Sequence, residues 1–414
     1  MLIERIEQAR LADGEALHTL TLAKGHVQQI SEYAPRSAAE SNSGNTPRTL
    51  QASGRLIVPA FVDAHVHLDK AFLLGMAGTT QATLPAAIAS VAALRSSLSL
   101  QQVQANAERA IDRLVSQGVS AARVHVEIDP AVGLELWHFQ RELAGRVAER
   151  IELQLVAFPQ RGLEASGMVE LMTAAMSEGA PVIGGCPYVD TDPARHLEIV
   201  FALAEHHGTP VDLHLDFSDD PGRSLLNLVA ERTRAHAMQG KVTIGHVTTL
   251  AAMAPDAQAA ALDELAAAGI GLAVLPTTDL YLAGHGEPGT RSLAPIARAR
   301  AHGVRVAIAN NNLQNPFAPF GNGNLLQAAW LAGIVGRASD PASRKQLFEG
   351  ITSEPAALLG LPAHGPFTGS PAHLALLDAE RERDVPLIAP SVLATLRSGR
   401  LVHRLSGPEI TEQR

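Results

Sequence analysis

Eight short apolar runs, separated by alanine-rich stretches of helical character, constrain the fold of this chain more than any other feature. They cover residues 60–65, 120–126, 152–158, 181–186, 210–215, 241–246, 270–275 and 304–309. Short apolar runs bounded by turn signals suit strands buried on both faces, and their alternation with helices implies a parallel sheet, because a parallel return needs a crossover. Eight parallel strands is the number that closes a barrel filled by its own side chains. The expected fold is therefore α/β, a (β/α)8 TIM-type barrel over residues 59–360. Both chain ends read differently. Residues 1–33 alternate apolar and polar, with turn signals at Asp13-Gly14 and Lys24-Gly25, and the tail has two strand-like stretches with a turn at Ser398-Gly399. Residues 1–58 and 361–414 are predicted to form one small β-sandwich domain, with a loop over the Ser-, Asn- and Gly-rich segment 37–48.

Barrel enzymes carry their chemistry at the C-terminal ends of the strands, and four histidines fall there. His65 and His67 end the first run two residues apart, so their side chains point the same way and can converge on one ion. His214 ends the fifth run and His246 the sixth. Any one of them alone would read as a hydrogen-bonded strand-end residue; four at one barrel face read as a site. Composition narrows the partners. A net charge of −9 without a basic cluster excludes nucleic acid. The single cysteine, Cys186, excludes an internal disulfide or a cysteine-built metal site and suits a reducing compartment. The start, Met1-Leu-Ile-Glu-Arg-Ile-Glu7, is not signal-like, and no run approaches the roughly 18 apolar residues of a membrane span. A cytoplasmic protein without a membrane partner is expected.

A series of motifs carries the reading further: His65-Val-His67-Leu-Asp-Lys70, Arg123-Val-His-Val-Glu127, Val156-Ala-Phe-Pro-Gln-Arg-Gly162, Gly184-Gly-Cys-Pro187, Asp212-Leu-His-Leu-Asp216, Gly245-His-Val-Thr-Thr249 and Asn315-Pro-Phe-Ala-Pro-Phe-Gly321. In this order the series resembles the amidohydrolase superfamily, and within it the bacterial cytosine deaminase branch that also holds N-isopropylammelide amidohydrolases. The resemblance covers nearly the whole chain. It implies one divalent metal ion, iron or zinc, held by His65, His67 and His214, with His246 contacting the activated water or the substrate. It also implies that Gln160 hydrogen-bonds a substrate ring, and that the protein assembles as a homo-oligomer. Gly184-Gly-Cys-Pro187 offers no lysine or glutamate to bridge two metals, so a binuclear centre is disfavoured.

Two positions depart from the family pattern, and both concern proton transfer. Asn311 stands where the deaminases carry a metal-binding, proton-accepting aspartate, and Phe217 where they usually carry a glutamate. Positioned acid-base groups are worth about 10²- to 10⁴-fold each, so the proton relay must be altered. An ion held by neutral imidazoles and an amide keeps its full charge, which favours an anionic ligand. Substitute bases are sought among Asp216, Asp219, Asp220 and Asp279; Asp279 follows the seventh strand and falls at the same rim. The expected catalytic set is His246, Asn311 and Asp279, and the expected substrate-binding set is Gln160, Asn312, Phe217 and Phe317. Lys70 reads as one half of a salt bridge and Cys186 as an inert thiol. The leading expectation is a metal-dependent hydrolase of a carbon-nitrogen bond in a small cyclic or heteroaromatic substrate. The alternatives are a non-catalytic relative that binds ligand at the barrel mouth, and a cyclic amide or imide hydrolase with a relocated base.

Overall fold

The computed structural model describes residues 1–35, 47–78, 82–95, 97–284 and 292–405. Of the loop expected over 37–48, all but Pro47 and Arg48 lies outside these residues. The chain opens with β1 (Arg5–Leu11), β2 (His18–Ala23), β3 (His26–Glu32), β4 (Thr49–Gln51) and β5 (Leu56–Pro59). The eight apolar runs then become eight parallel strands: β6 (Phe61–Val66), β7 (Val119–Glu127), β8 (Glu152–Phe158), β9 (Val182–Gly185), β10 (Val211–Leu215), β11 (Val242–His246), β12 (Gly271–Val274) and β13 (Val306–Ile308). They pair in chain order from β6 to β13. Most are buried along their whole length, which is why they read as continuous apolar runs without alternation.

The barrel closes through one residue beyond β13. Asn311 donates its backbone N–H to the His65 carbonyl and accepts from the His67 N–H, both at 2.8 Å. The seam between the first and last strands is thus the backbone of His65-Val-His67 joined to Asn311. Beneath the mouth, Arg123 ties four strands and the closing helix Ser353–Leu358 together. Its guanidinium reaches Asp212 (2.7 Å), Gln154 (2.8 Å), Thr243 (3.2 Å) and the Leu358 carbonyl (3.0 Å). Asp212 also accepts from His125 at 3.0 Å. A buried charge pair this well bonded meets its desolvation cost through hydrogen bonds on both partners.

The strands β14 (Leu374–Leu377), β15 (Val392–Arg397) and β16 (Arg400–Arg404) return to the N-terminal ones, with β14 antiparallel to β5. One mixed eight-stranded sheet results, in the order β16-β15-β14-β5-β1-β2-β3 with β4 on β1. It encloses its own core, in which Ile6 and Leu20 from one chain end meet Leu374 and Leu396 from the other. Thr395 and Arg397 of β15 fasten it to the barrel through the carbonyls of Val115 and Ala148. No helix among the described residues is long and apolar enough to cross a membrane.

One element had no assigned role in the sequence. Helix α1 (Leu84–Arg95) follows β6 and lies over the mouth, where Ala87 and Val91 pack against Leu282 and Phe317. It ends in Arg95, whose guanidinium meets Glu127 at the end of β7 at 2.6 Å.

Candidate metal centre and active site

Strand alternation puts His65 and His67 on one side of β6, and β10 brings His214 up beside them. The Nε2 atoms of His65 and His67 each lie 3.1 Å from the Nε2 of His214. A neutral imidazole nitrogen is either a donor or an acceptor, so a single site on His214 faces two partners and cannot serve both as full hydrogen bonds. Three nitrogens gathered this way match a cation site, since an ion about 2.0–2.1 Å from each places them roughly 3–3.5 Å apart. Burial, followed by neighbouring imidazoles and, at His65 and His67, the Lys70 ammonium, holds all three well below the usual histidine range. Their lone pairs are therefore available to a metal. Ring planes at 56–68° to one another allow those lone pairs to converge. Room for His65 comes from Gly245, where a Cβ would sit 3.1 Å from the His65 Nδ1.

His125 also belongs to the cluster, which the sequence reading did not foresee. Nitrogens of His65, His125 and His214 lie within 4.8 Å of one another, so proximity alone would name those three as a ligand set. His125 stacks on His65 with centroids 3.9 Å apart and planes 27° apart, and its Nε2 is engaged by Asp212, while its Nδ1 has no hydrogen-bond partner among the described residues. The signal was present in the alternation: Arg123 and His125 share a face of β7, as Asp212 and His214 do of β10.

His246 completes the four strand-end histidines. Its Nδ1 meets Asp279 Oδ1 at 2.6 Å, and the other Asp279 oxygen accepts from the Leu275 N–H at 3.1 Å. Burial raises the Asp279 carboxyl above its ordinary range, with the His246 contact opposing that rise. The ring of Phe217 packs edge-on against His246 at 4.8 Å. Asp216 is bonded to Ser224, Thr249 and the Leu225 amide; Asp219 to Ser292 and Gly284; Asp220 to Gly222. Of the four substitute bases considered, Asp279 alone among the described contacts is bonded to a strand-end histidine.

Asn311 ends a chain of amides whose direction is forced. Asn315 Oδ1 accepts from the N–H groups of Phe317 and Ala318, so its Nδ2 must donate, and it does so to the Lys70 carbonyl and to Asn312 Oδ1. Asn312 Nδ2 then donates to Asn311 Oδ1 at 2.9 Å. Asn311, itself buried, is left with its NH₂ as the end of the relay that Asn312 does not engage. An amide N–H is a donor without a lone pair for a metal. Backbone strain marks the same region: His246 at the end of β11 and Asp216, Val247 and Asn311 beyond β10, β11 and β13 have φ of 72°, 50°, 50° and 64°. Non-glycine residues held there cost on the order of 1–3 kcal/mol each and concentrate at functional sites.

Gln160 is oriented by an equally forced contact. Lys70 has only donors, so its Nζ at 2.7 Å identifies the Gln160 atom as Oε1 and leaves the Nε2 hydrogens for another partner. The expected Lys70 ion pair is present but longer, 3.7 Å to Glu127, and Phe317 lies 5.2 Å beneath the ammonium. Two cavities meet at Gln160. One of about 260 Å³ is lined by Lys70, Glu127 and Phe317, and one of about 1010 Å³ by Phe217, Tyr188 and helix α1. None of the four strand-end histidines lines either; Phe217 touches both the larger cavity and His246. Cys186 is buried, and burial pushes its thiol up to about 12, consistent with an inert residue.

The comparisons with known proteins agree with this architecture. The model described as "Amidohydrolase family" matches residues 145–403, more than half of the chain. A pterin deaminase of Rhizobium rhizogenes is 27% identical over 357 residues, 84% of this chain and 81% of that protein. An N-isopropylammelide isopropyl amidohydrolase of Pseudomonas sp. is 24% identical over 376 residues, covering 87% and 89%. The crystal structure of 5-methylcytosine deaminase from Klebsiella pneumoniae, liganded with phosphonocytosine, superposes with a TM-score of 0.89 at 29% identity over 97% of this chain and 98% of that one. A barrel mouth with a histidine triad able to bind a metal, joined to a sheet built from both chain ends, thus has one consistent reading: the chain belongs to the amidohydrolase family, the hydrolases of carbon-nitrogen bonds.

Proposed function

We propose that the protein is a deaminase-type amidohydrolase that replaces an amino group on a heteroaromatic ring by oxygen, using one iron or zinc ion. The observation that carries the reading is the convergence of the His65, His67 and His214 Nε2 atoms beside the His246–Asp279 pair. The relatives named above act on pterin, 5-methylcytosine and N-isopropylammelide by name, which supports a ring substrate.

A divalent ion held by His65, His67 and His214 would lower the pKa of water from about 15.7 toward 7 and so supply a nucleophile at neutral pH. The chain's own groups divide the remaining work. Asp279 accepts the Nδ1–H of His246, which leaves the Nε2 lone pair free to take a proton from the attacking water. The same nitrogen, now protonated, delivers that proton to the departing nitrogen as the carbon-nitrogen bond breaks, and ammonia leaves. His246 thereby takes over the two roles that an aspartate at 311 and a glutamate at 217 would have shared. Asn311 and Gln160 both present N–H donors, so each suits an oxygen or a bare ring nitrogen, whether neutral or anionic. Phe217, having no acid-base group, supplies a wall for the ring.

The test combines metal analysis with ammonia release. Protein loaded with iron or zinc should bind about one ion and release ammonia from an amino-oxo heterocycle, and His246→Gln should keep the metal while losing turnover. Metal-free protein after loading would overturn the reading. Full metal occupancy with no ammonia from pyrimidines, pteridines or triazines would favour the binding-only alternative, to which Phe217 at the boundary between cavity and histidines lends support.

A further inference from the structure

We propose that His196 and Asp190 are positioning residues, which lock the turn carrying Gln160 to the end of β9 and so hold the Gln160 amide in place at the mouth. The proposal rests on the function given above only in taking Gln160 as a substrate contact.

His196 stands in the first turn of the helix Pro193–His207. The start of that helix is set by Pro193 and by Asp192, whose side chain accepts from the Arg195 N–H at 3.0 Å. The His196 ring is buried, and both of its nitrogens are engaged. Its Nε2 meets the Cys186 N–H at 3.1 Å. A backbone N–H only donates, so Nε2 carries no hydrogen, the imidazole is neutral, and Nδ1 donates to Asp190 Oδ2 at 2.7 Å. A histidine backed by a carboxylate can serve as a base through its other nitrogen. Here that nitrogen is taken up by the backbone, and the work of the pair is geometric.

Asp190 passes the constraint on, because its Oδ2 also accepts from the Leu163 N–H at 2.8 Å. Leu163 follows the tight turn Pro159-Gln-Arg-Gly162, closed by the Gly162 N–H on the Pro159 carbonyl at 3.0 Å, with Gln160 and Arg161 at its corners. One chain of bonds thus runs from the backbone at the end of β9, through His196 and Asp190, to the backbone just beyond Gln160. A second runs the other way: Glu164 accepts from the N–H groups of Thr191 and Asp192 at 2.7 and 3.2 Å.

Two glycines make room for the pair. At Gly162 a Cβ would lie 1.7 Å from Asp190 Oδ1, and at Gly185 one would lie 2.9 Å from His196 Nε2. Gly162 also has a φ of +81°, which a side chain would strain. These glycines belong to two of the motifs quoted above, Val156–Gly162 and Gly184–Pro187, so each motif sets a bare backbone against one member of the pair. Lys70 fixes the direction of the Gln160 amide, and the pair fixes the backbone that carries it.

Both bonds to Asp190 end on Oδ2, so an asparagine oxygen in its place keeps them and alanine removes them. Zinc-loaded wild type, Asp190→Ala, Asp190→Asn and His196→Ala are compared by amide hydrogen exchange and by ammonia release from the best substrate among amino-oxo pyrimidines, pteridines and triazines. In both alanine variants exchange at Gly162 and Leu163 should quicken by about tenfold or more without a matching change in the β7 amides. KM should rise by about tenfold or more, with kcat within about threefold and metal content unchanged. Asp190→Asn should stay within about threefold of wild type in every readout. Thermal melting checks the fold, and His196→Ala carries the test if Asp190→Ala does not fold. Unmoved exchange in the alanine variants, or quickened exchange with KM unchanged, would overturn the proposal. An Asp190→Asn protein that behaves like Asp190→Ala would do so too, since charge and not geometry would then be at work. A wild type that releases no ammonia would remove the deaminase reading, and the exchange data alone would then decide whether the turn is locked.

Discussion

Replacing Asn311 by aspartate separates the roles of this residue more sharply than any other change. The side chain is 2% exposed, and its Oδ1 already accepts from Asn312, so a carboxylate keeps that bond and substitutes a second oxygen for the free NH₂. Without a cation the new charge lies buried with one amide donor, and an uncompensated buried charge costs about 3–5 kcal/mol. With a divalent ion at the triad the same oxygen becomes a ligand and cancels part of the ion's charge. Asn311→Asp should therefore lose about 3 kcal/mol of unfolding free energy in chelator at pH 8 and regain most of it on saturation with zinc. By linkage, the variant's metal affinity rises by about two orders of magnitude over wild type. Urea denaturation with and without zinc measures the first effect, and competition with a chromophoric chelator the second. Equal stabilisation of both proteins by zinc would mean that the Asn311 side chain does not face the ligand cluster, and the forced direction of the amide chain would then have no bearing on the metal.

Asp279→Asn should lower kcat by on the order of 10²- to 10⁴-fold while metal content stays at the wild-type value, because it disturbs the His246 tautomer and not the triad; loss of metal would place Asp279 in the ligand set instead. Arg123→Met should cost about 3–5 kcal/mol in chemical denaturation by leaving Asp212 charged and under-bonded beneath the barrel, whereas Arg123→Met combined with Asp212→Leu should recover part of that loss. His373 in the terminal sheet accepts from the Ser398 N–H, and burial, then Arg397, then neighbouring histidines lower it to about 3. The unfolded chain takes up that proton near pH 6.5, so the stability His373 contributes is complete above pH 6.5 and is lost as pH falls toward 3. His373→Gln should accordingly lose about 2–3 kcal/mol less than wild type between pH 7 and pH 4 in urea titrations, after allowance for partial exposure.

The barrel was legible because its strands are buried on both faces, so β6 to β13 appear as apolar runs whose ends fall within two residues of theirs. His65, His67, His214 and His246 were legible because strand ends project side chains into one mouth. The closing contact was not, since Asn311 joins the seam through a left-handed backbone beyond β13, where neither apolar pattern nor pairing register extends. Helix α1 escaped notice because it is apolar on several sides, covering the cavity with one face and packing on Phe317 with another, and such a helix shows no single buried stripe. The polarity of Asn311 and Gln160 could not be read from residue types at all. It follows in one case from the Phe317 and Ala318 N–H groups, passed to Asn311 through Asn315 and Asn312, and in the other from the Lys70 ammonium, which belongs to a different strand end.

Glu127 is one carboxylate shared by two cations, Arg95 at the end of α1 and Lys70 at the Gln160 amide. The end of α1 and the Gln160 amide are thus tied to the same carboxylate, one through the 2.6 Å contact of Arg95 and the other through Lys70, which stands 3.7 Å from Glu127 and 2.7 Å from Gln160 Oε1.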